Sequence, residues 1–297
     1  MITVEAPAKI NLTLHVCGRR ADNYHLLDSL VVFAGVGDRI TVSASDTLSL
    51  TIGGPFGAAL ASEPHNLVLR AARLLTAKHD IKHGAEIYLE KNLPVASGIG
   101  GGSADAAATL IACGRLWNVD PLALSDSEIA AQLGADVPVC LRGVPAFMSG
   151  IGDIVEPARG LPNAWLVLAN PGEPLATKAV FGALNGRFSA PMNRAPFEGL
   201  GHAADLAEVL RTYGNDLMAP ARELLPSVGT VLDTLAQSPG CLLARLSGSG
   251  PTCFGVFPDA ASAQKAAGDI AGRYKSWWVA PASILGQILT SPPHAEM

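Results

Sequence analysis

The chain has 297 residues, 49% of them hydrophobic and only 16% charged, which is ample for a large core and suits two domains better than one. Its net charge of -5 offers no global positive field to a polyanion, which argues against a nucleic-acid partner and leaves small local nucleotide sites open. The five cysteines stand singly, without a CxxC pair or a zinc spacing, no apolar run is long enough to span a bilayer, and the N-terminus lacks a signal-peptide pattern, so a reduced, cytoplasmic setting without a membrane partner is expected.

The first strong pattern is "KINLTLHVCG", where Ile10, Leu12, Leu14 and Val16 alternate with Lys9, Asn11, Thr13 and His15; period two predicts a half-buried strand. "HLLDSLVVFAG", "DRITVSA" and "TLSLTIGG" read as further strands. "HNLVLRAARLLTAKHD" is helical, with Leu67, Ala71, Leu74 and Leu75 on its apolar face, and "AEIYLEKN" returns to strand. A glycine loop then leads into a helix from about Ser103 to Leu116, and "SDSE" at 125–128 reads as the capping box of a short helix. After "GADVPVCLRG" comes one expected strand, "AFMSGIGDIVEP", and then "ARGLPN", the expected boundary between domains 1–158 and 159–297. The second half reads as a strand at 164–169, a helix at about 177–184, the weakly patterned "NGRFSAPMNRAPFEGLGH", a long helix at about 216–235, two strands in "CLLARLSGSGPTCFGVF", a helix and a last strand. The tail "TSPPHAEM" is expected to fray. There is no internal repeat, and the mixture of strands and helices indicates an α+β protein.

Four glycines crowd into "LPVASGIGGGSADAAATL" at 93–110. G-x-x-x-x-G-K-[ST] fails because Gly-Lys occurs nowhere in the chain, G-x-G-x-x-G fails because its third glycine position holds Ser103, and G-x-S-x-G fails around Ser103 and Ser249. Glycines followed by a helix N-terminus still allow backbone N–H groups to converge on a phosphate. They equally suit a turn that packs a helix tightly on a strand, and the residues alone leave both readings open.

"PVASGIGGGSADAA" resembles the P-x-x-x-G-[LI]-G-[GS]-S-x-A-A phosphate loop of the GHMP small-molecule kinases. "APAKINLTLHVCGRRADNYHLL", "HNLVLRAARLL" and "GADVPVCLRG" resemble the branch of that family in non-mevalonate isoprenoid synthesis, and "RLSGSGPTCFGVF" resembles the family's third glycine motif. The resemblance covers residues 1–180 nearly continuously and then Arg245 to Phe257. It implies a two-domain GHMP kinase fold, with an N-terminal domain like ribosomal protein S5 domain 2, containing a left-handed βαβ crossover, and a ferredoxin-like C-terminal domain. The implied reaction moves the γ-phosphoryl of ATP, with Mg²⁺, to the 2-hydroxyl of 4-diphosphocytidyl-2-C-methyl-D-erythritol. A monomer or weak homodimer is expected.

Carried over residue by residue, the resemblance makes Asp136 the base and Lys9 its partner, since phosphoryl transfer needs an in-line hydroxyl, a proton acceptor and neutralised phosphate charge. Asp136 read alone also suits a turn or helix cap, and Lys9 a solvated edge-strand lysine. ATP is expected at Asn66, Lys91, Pro94, Gly98, Gly100, Gly101, Gly102 and Ser103, although Asn66 also suits a plain N-cap and Lys91 a solvated charge. The substrate is expected at Asn11, Tyr24, His25, Thr177, Phe181, Ser247, Gly248 and Gly250, with "SGSG" otherwise a hairpin turn. The loop ends in Ser103-Ala104-Asp105 where the family commonly has Ser-Ser-Asn, which places a carboxylate near the triphosphate and leaves the Mg²⁺ ligands open. Val31 stands where better-known members carry an aromatic residue, implying a leaner wall to the cytidine pocket. His15, His65, His79, His83, His202 and His294 show no metal spacing. The alternatives are a GHMP kinase for another small alcohol (sugar, homoserine or mevalonate type) and a catalytically inactive nucleotide-binding protein.

Overall fold

The computed structural model describes residues 1–60, 66–120 and 128–287. The "SDSE" cap at 125–128 and the tail at 290–297 fall largely or wholly outside the described residues. In the first half the elements are β1 (Ile2–Asn11), β2 (His15–Arg19), β3 (His25–Ser45), β4 (Ser49–Gly53), α1 (Leu67–Lys78), β5 (Gly84–Glu90), α2 (Gly101–Leu116), α3 (Glu128–Leu133), α4 (Val137–Arg142), β6 (Ala146–Gly150) and β7 (Ile154–Pro157). The second half holds β8 (Trp165–Asn170), α5 (Thr177–Gly182), α6 (Ala203–Thr212), α7 (Met218–Leu224), α8 (Ser227–Ala236), β9 (Leu243–Leu246), β10 (Cys253–Phe257), α9 (Ala260–Arg273) and β11 (Trp278–Leu285).

The long strand β3 is the spine. β1 runs antiparallel along it from Asn11↔Val31 to Ile2↔Val42, while β2, β6, β11 and β5 pair with successive stretches of it. β4 and β5 pair in parallel, with α1 as the connection between them. In the second half the strand order is β11-β8-β10-β9, all antiparallel. A strand, helices, two hairpin-joined strands, a helix and a closing strand in that order form a ferredoxin-like arrangement. Ile284↔Ala34 and Leu285↔Phe33 then join the C-terminal strand to β3, so the sheets are continuous.

Several sequence expectations change here, each for a physical reason. "HLLDSLVVFAG" and "DRITVSA" are one strand, not two, because the glycines between them stay extended. A Cβ at Gly37 would lie 2.4 Å from the Ala6 carbonyl oxygen, next to the β1 register shift between Pro7 and Lys9; glycine here marks close backbone approach at a bulge. "KINLTLHVCG" is two strands, since the chain turns at 12–14, where Leu14 bonds through its N–H to Gly214 and through its carbonyl to Asp216. Its polar face is not solvated: Lys9, Asn11 and Thr13 are buried beneath the two glycine-rich segments. "AFMSGIGDIVEP" is the hairpin β6–β7, turned by Gly150 and Gly152 at φ 69° and 101°. The long helix at 216–235 is α7 and α8, because Pro226 cannot continue the helical hydrogen bonding and its predecessor Leu225 leaves helical geometry. The sequence reading missed α6, although Ala203, Leu206, Ala207 and Leu210 carry a helical apolar stripe and His202 with Asp205 form a capping box.

Helix α2 is the centre of the first half. It is small-residue-rich and buried from Ala104 through Gly114, packing on α1, α4, β1 and β3. A helix apolar all round belongs inside a core, and alanine allows close approach. A second core, containing Ile10, Leu12, Val32, Leu166 and Phe254, lies between the halves, so the glycine loop and the "SGSG" turn are held against each other by packed side chains.

Candidate functional site

Lys9 leaves β1 with its stem buried, and its Nζ lies 2.8 Å from Asp136 Oδ2; the side chains are 6% and 34% exposed. Asp136 sits at the N-cap position of α4, yet its side chain makes no capping hydrogen bond. The cap alternative therefore fails, and the carboxylate points to Lys9. The solvated-lysine alternative for Lys9 fails on burial.

The two glycine motifs meet beside this pair. The Lys9 N–H donates to Ile99 O at 2.9 Å, Thr252 N–H donates to Ser97 O at 3.2 Å, and Ser247 Oγ donates to Gly98 O at 3.1 Å. Asn11 N–H donates to Ser247 Oγ at 3.2 Å, tying the strand to the "SGSG" turn. Gly98 has φ 75°, and a Cβ there would lie 2.7 Å from the Gly250 N and O and from Ser247 O. These are backbone atoms that cannot swing aside. We expect Gly98→Ala to be destabilising by about 1 kcal/mol from φ alone, with the clash adding to it. It is also expected to reduce kcat/KM at least tenfold for both substrates, read by thermal melting and steady-state kinetics, because a small displacement of positioned groups is costly.

Two cavities open on either side of this contact. One, of about 360 Å³, is lined by Asn66, Lys91, Pro94, Gly98, Gly100, Gly101, Gly102, Ser103 and Asp105, among others. The other, of about 210 Å³, is lined by Lys9, Asn11, Ser29, Gly98, Gly100, Asp136, Thr177, Phe181, Gly248 and Ser249, among others. Gly98 and Gly100 border both. The structure thus brings the expected ATP residues to the first cavity, and Asn11, Thr177, Phe181 and Gly248 with Lys9 and Asp136 to the second, whereas Tyr24 and His25 line neither. Ser247 lies behind the second cavity through its bond to Asn11, and Gly250 touches the glycine loop.

Asn66 does cap α1, its Oδ1 accepting the Val68 N–H at 2.9 Å, so the plain-cap reading holds while its side also faces the first cavity. Lys91 is not a solvated charge. It is 2% exposed and donates to Asp38 Oδ2 and Asp105 Oδ2, both at 2.6 Å. Burial works against its ammonium, but Asp105 and Asp38 outweigh that and raise its pKa. Asp105 is turned inward onto Lys91, which answers the charge the sequence placed near the triphosphate. Burial pushes its pKa up to about 8 against the pull of Lys91, with Asp38 adding to the rise. Its Oδ1 has no hydrogen-bond partner. Asp38, which the sequence reading missed, also accepts the N–H groups of Asn92 and Leu93. Nothing in "GVGDRI" marks it, because only the tertiary fold brings it under Lys91.

His25 and Phe181 are in ring contact at 4.8 Å, and Thr177 Oγ1 lies 2.9 Å from Ser249 Oγ. Burial, with Arg19 adding, holds the His25 pKa below its ordinary value. Tyr24 stands 60% exposed at the turn before β3. Val31 is fully buried in the core under α2, packed with Ala146 and Met148 of β6. Two further buried polar residues escaped the sequence reading. Asn215 donates to Leu246 O and Gly248 O, both at 2.9 Å, and so holds the "SGSG" turn. Arg245 donates to Leu12 O and Leu210 O, and burial lowers its pKa to about 10. Among the described residues no group of three or more His, Cys, Asp or Glu could hold a metal ion, and no helix is long and apolar enough to cross a membrane.

The GHMP kinases N-terminal domain model matches residues 66–153, and the GHMP kinases C-terminal model matches residues 197–276. The 4-diphosphocytidyl-2-C-methyl-D-erythritol kinase of Paramagnetospirillum magneticum is 51% identical over 285 residues, covering 95% of this chain and 98% of that protein. The protein of the same name from Cereibacter sphaeroides is 53% identical over 282 residues, covering 95% and 98%. A crystal structure of 4-(cytidine 5'-diphospho)-2C-methyl-D-erythritol kinase superposes with a TM-score of 0.77 at 32% identity, covering 96% of this chain and 100% of that one. A homoserine kinase from Cytophaga hutchinsonii shares the fold, with a TM-score of 0.66 at 19% identity, covering 96% and 95%.

Proposed function

The chain belongs to the GHMP kinases, in the branch acting on 4-diphosphocytidyl-2-C-methyl-D-erythritol, and we infer that it transfers the γ-phosphoryl of ATP to the 2-hydroxyl of that alcohol in the non-mevalonate route to isoprenoid precursors. One observation carries the mechanism: the Lys9–Asp136 pair borders the second cavity at the glycines shared with the first. A hydroxyl placed there has a carboxylate to take its proton and a triphosphate site across Gly98 and Gly100.

In this reading Asp136 accepts the proton of the 2-hydroxyl as its oxygen attacks the γ-phosphorus. Lys9 orients the carboxylate and lends positive charge to the attacking oxygen. ATP occupies the larger cavity, with the nucleoside against Asn66 and Pro94. Its phosphates lie against the first turn of α2, whose N–H groups have no intrahelical acceptors. Lys91 contributes buried positive charge beneath that turn; a Cβ on Gly101 would lie 3.1 Å from its Nζ. Mg²⁺ would be held by the Ser103 hydroxyl and the unpartnered Asp105 Oδ1, which border the same cavity. It would supply positive charge against the triphosphate.

Thr177 and the N–H of Gly248 hold the substrate diphosphate, while the N–H groups of Ser247 and Gly250 donate to Thr252 O and Ser247 O and so shape the turn; Asn11 meets the methylerythritol end. The cytosine stacks against Tyr24 and Phe181, with the neutral His25 imidazole at its edge. We place the division between the halves at 158/159, after β7 ends at Pro157 and before β8 begins at Trp165.

The test is a turnover assay with ATP, Mg²⁺ and the cytidyl alcohol, with the phosphorylated position read by ³¹P NMR. The expected result is ATP-dependent 2-phosphate formation, competitively inhibited by CDP. Turnover of a sugar, homoserine or mevalonate that ignores CDP would assign another alcohol, and tight ATP binding with no turnover of any alcohol would assign an inactive binding protein.

A further inference from the structure

The polarity of a short buried hydrogen-bond chain determines how Asn11 meets its ligand. It begins at the carbonyl oxygen of Thr13, which can only accept. Ser29 Oγ lies 2.5 Å from that oxygen, so the single hydroxyl proton of Ser29 is spent there. Toward Asn11, at 2.7 Å, Ser29 Oγ can then only accept, and Asn11 must present its NH₂. The amide oxygen is left on the other side of the group. Asn11 is 4% exposed, yet its Oδ1 has no hydrogen-bond partner in the protein. It borders the cavity shared with Lys9, Asp136 and Gly248.

The surroundings hold this arrangement in place. Thr13 is fully buried, and its Oγ1 accepts the Leu30 N–H at 2.9 Å. The backbone of Asn11 is anchored by its bond to Ser247 Oγ. A buried acceptor without a donor is costly, and in native proteins such groups find partners. The cavity therefore presents one missing hydrogen-bond donor beside the Lys9–Asp136 pair.

We propose that Ser29 is a positioning and specificity-determining residue: it locks the Asn11 amide with its oxygen toward the cavity, so that this point accepts a hydrogen bond from a hydroxyl of the alcohol substrate. The proposal rests on the function inferred above. Without the Ser29 hydroxyl the amide can rotate and present NH₂, which forces a hydroxyl to turn and accept and takes an ether or carbonyl oxygen equally well. The lock thus selects a polyol over a substrate whose oxygen at that position can only accept.

A double-mutant cycle tests it, using the intact chain, ATP and the cytidyl alcohol. Ser29→Ala should lower kcat/KM for the alcohol about tenfold, as expected for one misdirected buried hydrogen bond, and leave the KM for ATP within about twofold. Ser29→Thr, which keeps the hydroxyl, should recover most of the loss. In an Asn11→Ala background, Ser29→Ala should cost little more, since the group it orients is gone. Unchanged kinetics in Ser29→Ala, an equal loss with and without Asn11, or an equal rise in the KM for ATP would each overturn the proposal. Thermal melting of each variant separates loss of fold from loss of orientation: a Ser29→Ala loss that follows the melting temperature and is not recovered by Ser29→Thr also overturns it. Failure of the unsubstituted chain to phosphorylate the cytidyl alcohol overturns both the proposal and the inferred function, whereas turnover with an additive cycle overturns the proposal alone.

Discussion

Replacing Asp136 by Ala should reduce kcat by about 10³-fold or more while leaving ATP affinity within about twofold. The size follows from the loss of a positioned proton acceptor, worth typically 10² to 10⁴, together with loss of the group that orients Lys9. Selectivity follows from the geometry: Asp136 lines the smaller cavity, and ATP is assigned to the larger one. Asp136→Asn keeps the shape and can still contact Lys9, so it separates proton acceptance from positioning. The expected order of kcat is wild type far above Asp136→Asn, with Asp136→Ala no higher. Steady-state kinetics with isothermal titration of ATP measures both quantities. Turnover near wild type in either variant would remove Asp136 from the mechanism.

Replacing Lys91 by Met should be the most destabilising single change near the site. It leaves Asp38 and Asp105 buried side by side with no cation between them. Removing one partner of a buried ionic group typically costs about 3 to 5 kcal/mol, a large part of the stability of an ordinary domain. The pH dependence has a definite sign. In the variant Asp105 loses the pull of Lys91 while its burial and its neighbour Asp38 remain, so its folded-state pKa stays raised above the unfolded one with nothing to oppose the rise. The folded state then holds a proton that the unfolded chain has released, and stability falls as pH rises from about 4 toward the raised value. Wild type carries a weaker version of the same trend, since the Asp105 pKa is already raised to about 8. Urea unfolding at several pH values should show the deficit of Lys91→Met largest at neutral and alkaline pH and smaller toward pH 4. Adding Asp105→Asn should recover part of it. A deficit independent of pH would assign the loss to packing of the lysine stem instead.

The sequence was most legible where a pattern is local. Periodicity located α1, a run of helix formers after the glycine loop located α2, and the glycine-rich segments declared themselves because glycine is otherwise unfavourable in strands and helices. It was misleading where punctuation and pairing disagree. Gly35 and Gly37 looked like a break between two strands, but β1 packs against that point and the strand continues. Pro226, in contrast, breaks a helix that the apolar pattern had run straight through. Tertiary packing overrides local preference in the first case, and covalent geometry overrides the pattern in the second.

Amino-acid order alone determined the α+β class, the family resemblance and the identities of Lys9, Asp136 and both glycine motifs, because these depend on residue type and short spacing. Only the tertiary structure decided what those residues face. It showed that the polar side of the first strand is buried, that Lys91 is held between Asp38 and Asp105, and that Asp105 turns onto Lys91. It also placed Ser29 where it orients Asn11. The physical reason is common to all four: burial and hydrogen-bond polarity arise between segments far apart in the chain, where spacing along the sequence carries no information about distance.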